Sequence, residues 1–179
     1  MTARRQRQRG KAGKLLIDVL IQSPRWRARP RAGALVRRAI RAAANLASKA
    51  PAELAIVLTD DSGIRVLNRE WRRVDAPTNV LSFPAANTAG PRWRAAAGRR
   101  TPPRLLGDIV IAYETVAREA AAERKPFDHH LVHLAVHGFL HLLGHDHATR
   151  RDAAKMEGLE TAVLARLGIP DPYAAQGRE

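Results

Sequence analysis

All seven histidines of this chain fall between His129 and His147, and the end of that window reads His137 Gly138 Phe139 Leu140 His141 Leu142 Leu143 Gly144 His145 Asp146 His147. Histidine serves chiefly as a proton carrier or a metal ligand, so such crowding asks for a chemical reason. The apolar run Leu131, Val132, Leu134, Ala135, Val136, Phe139, Leu140, Leu142 and Leu143 predicts a helix over 129–143. On that helix His137 and His141 stand four residues apart and project from one face. Gly144 then permits the left-handed residue that ends a helix, which swings His147 back as a third nitrogen. The fold must therefore supply a helix, a glycine stop and a reversal at this point.

Three imidazoles make an open metal site. Structural zinc is usually closed by four protein ligands, often thiolates, and this chain has no cysteine to complete such a set. Neutral imidazoles suit Zn2+, one ion per chain. Asp146 is placed to orient a ligand ring or to hold the turn. His133 lies one turn before His137 and reads as a packing residue or a partner of the ligand. His145 reads as solvent-facing, and His129 and His130 as helix-start residues after Pro126 and Asp128. The same spacing occurs in the metzincin proteases, whose pattern has a glutamate directly after the first histidine. Here Gly138 occupies that place. The protease's general base is missing and the metal cage remains.

The rest of the chain reads as an α+β domain. Strands are expected over 15–22, 53–58, 79–83 and 108–112, and helices over 32–49, from the Asp60 Asp61 Ser62 cap to about Trp71, over 113–124 and over 150–167. Strands come first and helices gather late. The expectation is a small mixed four-stranded sheet backed by helices, with the metal site at the end of a late helix. Residues 85–103, rich in Gly, Ala, Pro and Arg, read as a long loop. The expected organisation is a flexible basic tail over 1–13, a single domain over 14–173 and a C-terminal tail over 174–179.

Charge narrows the partners. The formal net charge is +14, and it is uneven: residues 1–50 hold fourteen Lys and Arg against the single acid Asp18, whereas residues 101–179 hold nine against eleven acids. Such asymmetry points to a polyanion, with nucleic acid ahead of membrane. No apolar stretch is long enough to span a bilayer, and the short run Leu15 to Ile21 is broken by Asp18, so neither a membrane anchor nor a signal peptide is expected. With no cysteine there is no disulfide framework, and a cytoplasmic protein follows.

The run from His137 to His147 resembles the HGxLHLxGxDH signature of the YbeY family of bacterial rRNA maturation endoribonucleases. Leu67 Asn68, Trp71 Arg72, Asp75 Ala76 Pro77 Thr78 Asn79 Val80 Leu81 Ser82 Phe83 Pro84, Leu106 Gly107 Asp108 Ile109 Val110 Ile111, Leu167 Gly168 and Asp171 Pro172 Tyr173 are similar to that family in the same order. The resemblance implies a metal-dependent single-strand endoribonuclease acting in maturation of the 3′ end of small-subunit rRNA and in ribosome quality control. It implies ribosomal RNA and the small subunit as partners, with ribosomal proteins or an assembly GTPase beside them. His137, His141 and His147 would hold the metal, and Arg72 would be the functional arginine beside the cleft. His145 and Trp71 stand where the family often has Tyr, and the basic tail and the 85–103 segment are longer than usual.

RNA cleavage needs positive charge at the phosphorane-like transition state, and a guanidinium grips two phosphate oxygens through its planar fork. Arg72 suits that need. Asp146 is a candidate general base, Thr78, Asn79 and Ser82 are candidate phosphate donors, and Asp108 reads as a strand-start residue. Two rivals share the cage: a zinc metalloprotease-like hydrolase, and a non-enzymatic zinc-containing ribosome assembly factor.

Overall fold

The computed structural model describes residues 15–47, 51–85 and 104–174. The expected tails over 1–13 and beyond Ala174, the last residues of the expected 32–49 helix, and nearly all of the 85–103 segment lie outside the described residues.

The order of elements is β1 (Leu15–Ile21), α1 (Ala32–Ala47), β2 (Ala52–Thr59), α2 (Asp61–Arg72), β3 (Val80–Pro84), β4 (Arg104–Ala112), α3 (Tyr113–Ala122), α4 (Phe127–Leu142) and α5 (Arg150–Arg166). The four strands form one mixed sheet in the order β1-β2-β4-β3. β1, β2 and β4 run parallel, and β3 is an antiparallel outer strand paired with β4. A helix between β1 and β2 is what a parallel pairing of consecutive strands demands, since a tight hairpin can join only antiparallel neighbours.

Strand alternation sends Leu54, Ile56, Leu58, Ile109 and Ile111 to one face, where they meet Val36, Ala39, Ile40 and Ala43 of α1 and the apolar residues of α4. The other face is covered by α2, whose Ile64 and Leu67 pack on Leu81, Val110 and Ala112. Helix α4 is the centre of the larger core. Leu131, Ala135, Val136, Phe139 and Leu140 are almost fully buried, as expected of a helix that is apolar around most of its circumference. It packs against α1, α3, α5 and the β3–β4 edge.

Three local features fix the elements around it. Asp60 caps α2 by accepting from the Gly63 amide at 2.9 Å, the capping read from the sequence. A short 3₁₀ turn over Pro24–Ala28, which the sequence pattern does not reveal, buries Trp26. That indole donates to the Thr59 carbonyl at 2.7 Å and meets the rings of Tyr113 and Phe127 edge-on, fixing the start of α4. β4 begins at Arg104, four residues before the expected Asp108, because Arg104 and Leu105 pair with Ala52 and Glu53 beyond a register shift between Glu53 and Leu54. No helix among the described residues is long and apolar enough to cross a membrane.

Candidate metal centre

Helix α4 ends in a glycine stop. Gly144 has φ +90°, its amide donates to the His141 carbonyl at 2.9 Å, and the His145 amide donates to the Leu140 carbonyl at 3.0 Å. That pair of bonds is the Schellman arrangement, which satisfies the last carbonyls while reversing the chain. The reversal returns His147 over the helix end. The Nε2 atom of His141 lies 3.1 Å from Nε2 of His137 and 3.1 Å from Nε2 of His147, and the three ligand atoms lie within 4.8 Å of one another. Tetrahedral zinc with Zn–N bonds of about 2.0–2.1 Å separates its nitrogens by about 3.3 Å, so this donor set fits such an ion. Burial, together with the adjacent His137 and His147 imidazoles, holds His141 below the ordinary histidine range and keeps it neutral, the form a metal requires.

A buried carboxylate orients the cage. Glu160 of α5 is fully buried, and its Oε1 lies 2.8 Å from His137 Nδ1. Its Oε2 meets His133 Nε2 at 3.1 Å and accepts from the Tyr173 hydroxyl. A carboxylate facing Nδ1 selects the ring form with the proton on that atom, which leaves the Nε2 lone pair aimed at His141 and His147. Burial alone would push the Glu160 carboxyl up, but the bonds from His133, His137 and Tyr173 outweigh it and bring it down to about 2. Burial first, then the bond to Glu160, raises the Tyr173 hydroxyl. Sequence reasoning passed over Glu160, although one signal was present. It lies on the stripe of Met156, Val163 and Leu164, the core face of α5.

Arg72 faces this cage across a cleft of about 560 Å³ lined also by Thr78, Asn79, Val80, Ser82, Pro84, His137, His141, Gly144, His145, Asp146 and His147. Its wall is pinned at several points. Arg73 ends α2 in a left-handed conformation, Arg65 grips Asp75 through two bonds of 2.8 and 2.9 Å, and Asn68 donates to the Ala76 carbonyl at 2.8 Å. The Arg72 side chain is exposed, with no ion pair among the described residues.

The family profile described as "Endoribonuclease YbeY" matches residues 22–168, which take in both walls of the cleft. The chain belongs to the YbeY family. The Endoribonuclease YbeY of Nitrobacter winogradskyi is 57% identical over 165 residues, spanning 91% of this chain and 84% of that one. That of a Bradyrhizobium species is 55% identical over 163 residues, spanning 90% and 94%.

In this YbeY chain the place of the metzincin glutamate is closed by packing. A Cβ at Gly138 would stand 3.0 Å from both Ile109 Cγ2 and Ser82 Oγ, so position 138 faces the sheet and has no room for a carboxylate. The bare glycine lets α4 lie against β3, where Ser82 donates to the Gly138 carbonyl at 3.1 Å.

Several smaller expectations change in this YbeY member. Asp146 accepts from the His147 amide at 2.7 Å, which leaves, of its two expected placements, the one that holds the turn. His145, expected to face solvent, is half-buried and lines the cleft. His130 is buried and pairs with Glu119 at 2.8 Å instead of merely starting the helix. Of the three expected phosphate donors, Ser82 is engaged by Gly138, and Asn79 by Glu119 and the Val80 amide. Thr78 alone keeps its hydroxyl uncommitted among the described residues.

Proposed function

We propose that this chain is a zinc-dependent endoribonuclease that cuts single-stranded RNA in the maturation of the 3′ end of small-subunit rRNA and in ribosome quality control. Its domain spans residues 14–173, its place is the cytoplasm, and its partners are ribosomal RNA and the small subunit. The observation that carries the reading is the arrangement of one cleft, with a three-histidine cage on one wall and on the other an arginine that has no ion pair among the described residues. Zinc held by His137, His141 and His147 would supply Lewis-acid charge at a phosphate oxygen and lower the pKa of a water.

The chain's own residues do the rest. Arg72 binds two non-bridging oxygens of the phosphate and stays charged as negative charge grows on them. Thr78 offers a hydroxyl to the same group. Asp146 spends one carboxylate oxygen on the His147 amide, and we assign the other as acceptor for the proton of the attacking water or ribose 2′-hydroxyl, while the P–O bond to the leaving ribose oxygen breaks and that oxygen takes a proton from solvent. Glu160 holds His137 in the ligating ring form. The protease alternative has no base at position 138 and gives Arg72 no task.

Mapping the 3′ end of small-subunit rRNA in cells with and without the protein tests the reading. Accumulation of unprocessed ends, cured by wild type and not by His137→Ala, is the expected outcome. Normal ends in cells carrying a folded His137→Ala protein would sink it and favour the non-enzymatic assembly factor.

A further inference from the structure

The indole of Trp71 is the most exposed large apolar side chain among the described residues, at 67%. It sits in the last turn of α2, next to Arg72, which lines the metal-facing cleft. Its ring stands edge-on to Phe83, with centroids 5.8 Å apart. Phe83 lies between Ser82 and Pro84, both of which line that cleft, on the outermost strand of the sheet. The ring therefore stands beside the cleft, on the α2 face of the outermost strand, with the histidine cage on the other face. An indole so exposed leaves most of its surface available to a partner.

The surroundings select the occupant. The same end of α2 carries Arg69, Arg72 and Arg73 against the single acid Glu70, with none of the three arginines in an ion pair among the described residues, while the nearby Asp75 is already held by Arg65. An aromatic face set in a cationic collar matches an unpaired nucleobase joined to a phosphate backbone. Apolar peptide segments would gain nothing from these three arginines.

We propose that Trp71 is a stacking platform for one unpaired base of the RNA strand whose phosphate lies in the cleft. The inference rests on the RNA reading given above. Stacking on an aromatic face is tolerant of base identity, because every base has a π-face, and it is closed to bases already paired and stacked in a duplex. The platform thus confers preference for single strands without preference for sequence.

The test uses full-length, zinc-loaded protein and a fluorescent 2′-O-methyl oligoadenylate of about twelve nucleotides, a length within the usual span of single-strand sites. Anisotropy titration of the single strand and of its duplex should show Trp71→Ala weakening single-strand binding by about 5- to 20-fold, as loss of a stacked base does. Duplex binding should be unchanged, and Trp71→Tyr should restore single-strand affinity. Equal single-strand affinity in wild type and Trp71→Ala overturns the platform, as does a loss that Trp71→Tyr does not repair. Loss of small-subunit association with strand affinity intact also overturns it, assigning the ring to a protein contact. Arg72→Ala separates the two levels. If it binds and cleaves single-stranded RNA as wild type does, the RNA reading of the cleft itself fails; if it loses the strand or its cleavage while Trp71→Ala keeps the strand, only the platform fails.

Discussion

Replacing Glu160 with glutamine preserves the shape of the side chain while removing its charge and turning one acceptor into a donor. The carboxylate serves three groups at once: His137 Nδ1 at 2.8 Å, His133 Nε2 at 3.1 Å and the Tyr173 hydroxyl. A glutamine has one acceptor oxygen for these donors, so its amide must face at least one of them. If the amide faces His137, that ring has to move its proton to Nε2 to accept, and its ligating lone pair is lost. If it faces His133 and Tyr173, a buried donor goes unpaired. Loss of a carboxylate behind a ligating imidazole costs about 10–100-fold in metal affinity, or about 1.4–2.7 kcal/mol.

Stability falls for the same reason. Glu160 is drawn from its ordinary value of 4.5 down to about 2, which corresponds to a contribution on the order of 3 kcal/mol at neutral pH. Because the folded state depresses this pKa, the contribution is complete above about 4.5 and fades as pH falls towards about 2. Zinc competition with a chromogenic chelator should show the weakened affinity in Glu160→Gln. Urea unfolding of the metal-free proteins at neutral pH should show the lost stability, and the gap between the two proteins should close on acidification through that window. Zinc affinity within about twofold of wild type would refute the ring-orienting role assigned to Glu160.

Arg72→Lys keeps the charge but loses the planar two-point grip, so turnover on a single-stranded RNA should drop by about one to two orders of magnitude with metal content and melting temperature unchanged; loss of zinc alongside activity would show that Arg72 supports the cage instead. In His137→Ala/His141→Ala, zinc measured by mass spectrometry should fall from about one ion per chain to near zero, and an unchanged content would place the metal elsewhere. Gly138→Ala brings a methyl to 3.0 Å from Ile109 Cγ2 and Ser82 Oγ, which must give by a few tenths of an ångström, and unfolding should register a loss of about 1–3 kcal/mol. A variant as stable as wild type would mean that the helix is not held tightly to β3.

The helices and the cage spacing were legible because their signals are local. The i, i+4 histidines, the glycine stop and the Asp60 cap each depend on a few adjacent residues. Glu160 was not legible in that way, since its meaning comes from His137, twenty-three residues away on another helix. Only its place on the stripe of Met156, Val163 and Leu164 betrayed it. The strand order β1-β2-β4-β3 likewise depends on long-range pairing, which apolar patterns do not encode. The same holds for the early start of β4, where the pairing partner Glu53 decides and the strand's own sequence does not. Arg72 drew its assignment from resemblance, because an exposed arginine at a helix end has no local mark to distinguish it from its neighbours.

The tight packing of α4 has a kinetic consequence for how the cage fills. His137 and His141 ride on a helix sealed into the core, so their separation exists before any ion arrives, whereas His147 lies beyond the Gly144 turn and is exposed. Capture should therefore occur in two steps, a diffusion-controlled encounter with the preset pair followed by closure of the third ligand. Stopped-flow zinc uptake should show a slower phase independent of zinc concentration, and that phase should change on substitution of Gly144 while the first does not. Escape of the ion then runs in reverse, so the length of its stay is governed by the turn and not by the helix.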